Sequence, residues 1–70
     1  MRKLTKNEKE HINTMTEIKA RTCKGIFDTY EIISKKSSFI GGIWVGLIAA
    51  GFEFDSVYDD EISKIWDEAK

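Results

Sequence analysis

From Ser38 to Phe52 the chain runs without a charge, although a third of its residues (33%) are charged. On a helix, Gly42, Gly46, Ala49 and Ala50 would line one side of this run, and Phe39, Ile40, Ile43, Trp44, Leu47 and Ile48 would cover the other. A helix that is apolar all round belongs in a core or a membrane, and its small side lets another backbone come close. A buried strand is the competing reading, because periodicity does not separate the two for a short apolar run. Spanning a bilayer takes about 20 apolar residues. Phe39–Phe52 stops short of that, where Glu53 and Asp55 follow. A core helix is therefore expected, with a surface-inserting segment as the alternative. No Gly-Lys-Ser/Thr follows the glycines, which argues against a phosphate-cradling loop.

What encloses such a run is limited by size. Seventy residues make one domain, 1–70, and a chain this short buries only about 60% of its unfolded surface. Small domains are commonly stapled by disulfides, metal or self-association. Cys23 and His11 are the only cysteine and histidine, so no internal disulfide can form, and metal and other cofactors are not expected. Helix packing and association remain.

The first helix starts at Thr5-Lys6-Asn7-Glu8, which fits a capping box. No breaker follows until Lys35-Lys36-Ser37-Ser38, apart from Gly25. At helical spacing Ile12, Met15, Cys23, Ile26, Tyr30 and Ile33 form one stripe, with Phe27 on its flank. A helix of thirty residues would be roughly 45 Å long, so a break or bend near Thr22–Gly25 is expected rather than a projecting arm. Lys19 falls within this stripe, as a lysine with its stem on the core, a polar residue at an oligomer seam, or an anion contact with Arg21 or Lys24.

Gly51 reads as the residue after a helix end. Ser56 with Asp59 repeats the capping pattern, the acids Asp59, Asp60 and Glu61 suit a first helical turn, and Tyr58, Ile62, Ile65, Trp66 and Ala69 form the apolar stripe of a last helix. The expected fold is all-α, with three to four helices. Its apolar, glycine-containing central helix would pack between a long N-terminal helix and a short acidic C-terminal one.

Trp44–Trp66 has helix-turn-helix spacing, but a groove-reading helix needs cations for phosphates. Here Lys64 stands alone against Asp59, Asp60, Glu61, Asp67 and Glu68, which argues against DNA binding. Basic residues lie mostly in the first half and acids crowd the last eighteen residues, so the ends could pair within the fold or between copies. No nucleophile stands at a defined spacing from His11, and Cys23 lies on an apolar stripe, so an enzyme is not expected. The lone cysteine and the polar start Met1-Arg2-Lys3-Leu4, with no secretory h-region, suit the cytoplasm.

In size and style the chain looks like the small accessory proteins of bacteriophages and mobile elements. Arg2-Lys3-Leu4-Thr5-Lys6-Asn7-Glu8, followed by Glu17-Ile18-Lys19-Ala20, is similar to the N-terminal helix of the phage anti-CBASS cyclic-oligonucleotide sponges, which are helical oligomers that hold signalling nucleotides between subunits. That resemblance makes Lys19 a candidate phosphate contact.

The leading expectation is a non-enzymatic, self-associating interaction protein that modulates a cellular protein by occupying its surface, with Tyr58, Asp59, Asp60 and Trp66 as the contact residues. The alternatives are a cyclic-nucleotide sponge using Lys19, Arg21 and Lys24, and a membrane-active protein built on Phe39–Phe52.

Overall fold

Thr5 opens the first helix as its sequence anticipates. Its hydroxyl accepts from the Glu8 N–H at 3.2 Å, and its own N–H donates to Glu8 Oε1 at 2.8 Å. Both bonds satisfy amides that have no partner inside the helix. The Thr5 N–H holds the Glu8 carboxyl below its ordinary pKa. The contribution of the Glu8 carboxylate is thus complete above the usual carboxylate range and is lost as acid protonates Glu8, while the Thr5 hydroxyl still accepts from the Glu8 N–H.

The computed structural model describes all residues, Met1–Lys70, as three helices: α1 (Lys6–Ile26), α2 (Thr29–Ala49) and α3 (Ser56–Glu68). The fold is all-α, and residues 39–52 enter it as helix and turn rather than as a strand. The break after α1 falls at Phe27 and Asp28, just past the expected Thr22–Gly25. Phe27 is extended, and the Asp28 carboxylate accepts from the Glu31 N–H at 2.8 Å, which starts α2. The helix then continues through Lys35-Lys36-Ser37-Ser38, where the sequence had suggested a stop. Two lysines and two serines lower propensity slightly but remove no backbone bond, whereas a capping aspartate after an extended residue begins a new helix.

At the other end of α2, the N–H of Gly51 donates to the Ile48 carbonyl (3.0 Å) and that of Phe52 to the Leu47 carbonyl (2.9 Å). This is the Schellman pattern, and it requires a left-handed residue at Gly51, whose φ is +91°. Gly51→Ala should therefore cost about 1 kcal/mol or more, read as a lower urea midpoint, because alanine is strained at that φ. The cap of α3 is Asp55, one residue before the expected Ser56; its carboxylate accepts from the Tyr58 N–H at 3.0 Å.

All three helices touch one another. One cluster joins Ala20 and Cys23 of α1 to Trp66 and Ala69, with Phe27, Ile32 and Phe39 against it. The other joins Ile40 and Trp44 of α2 to Tyr58 and Ile62 of α3. The buried stripe of α1 is Thr16, Ala20 and Cys23, with Ile12 half-buried, and the Thr16 hydroxyl donates to the Ile12 carbonyl at 2.7 Å. Met15, Ile26, Tyr30 and Ile33, expected on the stripe, are exposed, and so is Lys19. Size complementarity explains the correction. Residues of small volume on α1 make room for the Tyr58 and Trp66 rings of α3, and the large apolar residues of α1 are left outside.

The basic and acidic halves do meet within the chain. Lys36 Nζ pairs with Asp67 Oδ1 at 2.9 Å, and Lys24 reaches the end of α3. The N-terminal strand-like segment is tied across the α2–α3 turn, with Glu53 N–H donating to the Arg2 carbonyl at 2.8 Å.

Candidate functional site

The central helix packs against α1 and α3 through one side only. Ile40 and Trp44 are buried there, with Ile32, Phe39, Ile43 and Leu47 half-buried beside them. The 3.6-residue period places Ser34, Ser38, Gly41, Gly42, Val45 and Ala49 on the opposite side, and all six are exposed. Tyr30, Ser37 and Ile48 border this face, and Val45 at its centre is 71% exposed. The small side of the run was expected to receive a neighbour within the fold; it faces outward instead. Nor is α2 enclosed by its neighbours, because α3 is only 13 residues long and α1 lies along the same side of α2 as α3 does.

Nothing inside the chain explains the glycines of this face. A Cβ built at Gly41, Gly42 or Gly46 would meet no atom within 4 Å. In a helix interior each glycine costs about 1 kcal/mol relative to alanine, a large sum in a domain of this size. A shallow groove of about 410 Å³ runs along the N-terminal half of the face, lined by Tyr30, Ile33, Ser34, Ser37 and Ser38. From Ser37 to Phe52 the chain bears no charge; Lys35 lies before this stretch, with its ammonium 5.0 Å from the centre of the Phe27 ring, and Glu53 lies after it, past the turn at Gly51. Neither takes part in an ion pair; those present are Arg2–Glu8, Arg21–Glu17 and Lys36–Asp67.

With 21 residues, α2 is long and apolar enough to cross a membrane by length and composition. The sequence had suggested a shorter apolar element, because its start was placed at Ser38 rather than at Thr29. One side of α2 is nonetheless taken by the core, where Trp44 Nε1–H donates to Asp59 Oδ1 at 2.8 Å.

The expected contact residues are divided by the fold. Tyr58 and Trp66 are each only 1% exposed and form the core, so their reading as surface aromatics is corrected. Their own stripe with Ile62 had pointed inward, and a side chain cannot serve both faces. Asp59 is half-buried on the Trp44 indole, and only Asp60 of the four is exposed. The Tyr58 hydroxyl lies as donor 3.0 Å from the Lys9 carbonyl and 2.6 Å from Asn13 Oδ1. Burial, with Glu61 nearby, raises the Tyr58 pKa from 10.0 to about 12. A raised folded-state pKa means that the native phenol keeps its proton where the unfolded one has lost it. Stability from this group is complete below pH 10 and falls between pH 10 and 12. Urea unfolding across that range should decline less steeply for Tyr58→Phe than for the native chain.

Lys19, Arg21 and Lys24 do not converge within the chain. Lys19 and Arg21 project from different sides of α1, and Arg21 pairs with Glu17 beside a hollow that also holds Glu68. Lys24 Nζ donates to the carbonyls of Trp66 (2.7 Å), Asp67 (3.1 Å) and Ala69 (2.6 Å), so it caps the C-terminus of α3. Its reading as a free anion contact is corrected. The ammonium fills the negative end of the helix dipole and satisfies carbonyls without helical partners. No local sequence signal marks a cap supplied from more than forty residues away. Another hollow of about 410 Å³, lined by Leu4, His11, Ile12, Leu47 and Phe52 among others, is apolar and contains no lysine or arginine.

No protein-family model matches the sequence, and no match is found among curated proteins or solved structures.

Proposed function

We propose that this chain is a non-enzymatic interaction protein that works by association through the open face of α2. The observation that carries the reading is an uncharged helix face, with glycines that serve no contact inside the chain, turned outward in a domain with few buried residues. Exposed apolar surface of this kind, bordered by polar residues, is the usual mark of an interaction site. The exposed acids Asp60, Glu61 and Glu68 of α3 lie away from that face.

The double substitution Val45→Glu with Ile48→Glu tests the reading. Both side chains are more than half exposed (71% and 51%), so the helical circular dichroism should remain native. Association should be lost, whether measured as self-association by light scattering or as retention of a protein from cell lysate. Unchanged association in both assays contradicts the reading.

A further inference from the structure

We propose that Met1–Leu4 is a releasable strap, which lifts off the α2–α3 turn as a unit while the three helices stay folded. In leaving, it uncovers an apolar trough. The inference goes beyond the open face of α2, because Leu47 of the trough lies on the packed side of that helix.

Few contacts hold the strap, and most of them are exposed. Arg2 pairs with Phe52 as an isolated parallel bridge. Its N–H donates to the Gly51 carbonyl at 3.1 Å, and its carbonyl accepts from the Glu53 N–H at 2.8 Å. The Arg2 guanidinium lies 4.3 Å from the centre of the Phe52 ring, with Nη2 3.8 Å from Glu8 Oε2. Exposed cation–ring and ion pairs of this kind contribute little. Met1, Arg2 and Lys3 are exposed, which leaves half-buried Leu4 as the apolar anchor.

The elements on either side do not need the strap. Thr5 is extended (φ −77°, ψ 166°) and caps α1 through its own bonds with Glu8, so the helix keeps its start when residues 1–4 leave. The turn keeps its shape through the bonds from Gly51 N–H to Ile48 and from Phe52 N–H to Leu47. Lifting the strap therefore breaks no helical bond. A segment tied by so few contacts opens at a fraction of the cost of unfolding the whole domain.

Leu4 gives that opening a consequence. It is the one residue shared by two hollows. One, of about 280 Å³, is lined by Lys3, Glu53, Phe54 and Asp55 among others; the second, of about 410 Å³, is the apolar hollow at Ile12, Leu47 and Phe52. Without Leu4 the two join in a trough walled by Ile12, Leu47, Phe52 and Phe54. The Phe52 ring, 7% exposed beneath the strap, then loses the guanidinium that covers it. The closed strap hides this aromatic surface and the open one presents it.

Amide hydrogen exchange of the full chain, followed residue by residue, tests the inference. The Glu53 amide, held by the strap, should be protected about tenfold or more weakly than its neighbour Phe52, held by the end of α2. A Glu53 as protected as Phe52, or not protected at all, overturns the inference. Arg2→Ala leaves both backbone bonds and removes the contacts with Phe52 and Glu8. It should lower the protection of Glu53 by about fivefold and leave that of Phe52 unchanged. An equal loss at both amides would make the strap part of the cooperative core, which also overturns the inference. Leu4→Ser, in the Val45→Glu, Ile48→Glu chain so that the open face contributes nothing, should bind the apolar dye anilinonaphthalene sulfonate more strongly than that chain alone. No gain in dye fluorescence would show that no trough is uncovered. These readouts do not depend on association through α2, so either reading can fail without the other.

Discussion

Trp66→Ala is expected to leave the chain largely unfolded at room temperature, with the helical circular dichroism lost. Trp66 is the largest fully buried side chain, and it joins Ala20 and Cys23 of α1 to Phe39 of α2, whose ring lies 5.8 Å from its own. Emptying such a site costs about 3–5 kcal/mol, and a single core in a chain this short supplies about the same. Trp66→Phe should be far milder, at about 1–2 kcal/mol, because the Trp66 indole N–H is buried without a partner. The phenyl ring keeps much of the packing and removes a polar group that stabilises nothing. Urea unfolding of the two variants checks both statements. A Trp66→Phe chain as unstable as Trp66→Ala would show that the indole N–H has an acceptor after all.

Lys24→Met should destabilise the chain by about 2 kcal/mol, the scale of hydrogen bonds made by a charged group. The methionine keeps the apolar stem and loses the ammonium that holds the carbonyls of Trp66, Asp67 and Ala69. The loss should be local as well as global. The Ala69 amide, which donates to the Ile65 carbonyl at 3.1 Å, should exchange with solvent faster than the amides in the middle of α3. An ammonium that was instead free to hold an anion would make the substitution neutral for stability and visible only in binding.

These two residues show where sequence reasoning reached and where it stopped. Caps made by neighbours were legible, because Thr5 and Glu8 are three residues apart and Gly51 follows directly on an apolar run. The stripe of α3 was legible too, since Tyr58, Ile62, Trp66 and Ala69 repeat at helical spacing and are buried together. The stripe of α1 was misread because the core selects it by volume. Thr16 and Ala20 leave room for rings carried by α3, and nothing within α1 records that demand. The cap from Lys24 to α3 was invisible for the same reason, since the two ends meet only after folding. The start of α2 could have been found: Asp28, three residues before Glu31, is a cap signal as good as the one at Thr5. Setting the helix start there extends the apolar element by two turns and gives it a second face. As for the site, its small residues were recognised in the sequence, but which side of them faces outward depended on how little of α2 the other two helices can cover.

Thermal unfolding as a function of protein concentration tests the central claim most directly in its simplest form, that the open face of α2 is closed by self-association. A partner that binds only the native chain raises its Tm, and a second copy makes that rise depend on concentration. The native chain should melt at progressively higher temperature as its concentration is raised from micromolar to several hundred micromolar. The Val45→Glu, Ile48→Glu chain should melt at one temperature throughout. A native Tm that does not move with concentration, or one that moves equally in both chains, would contradict self-association through α2.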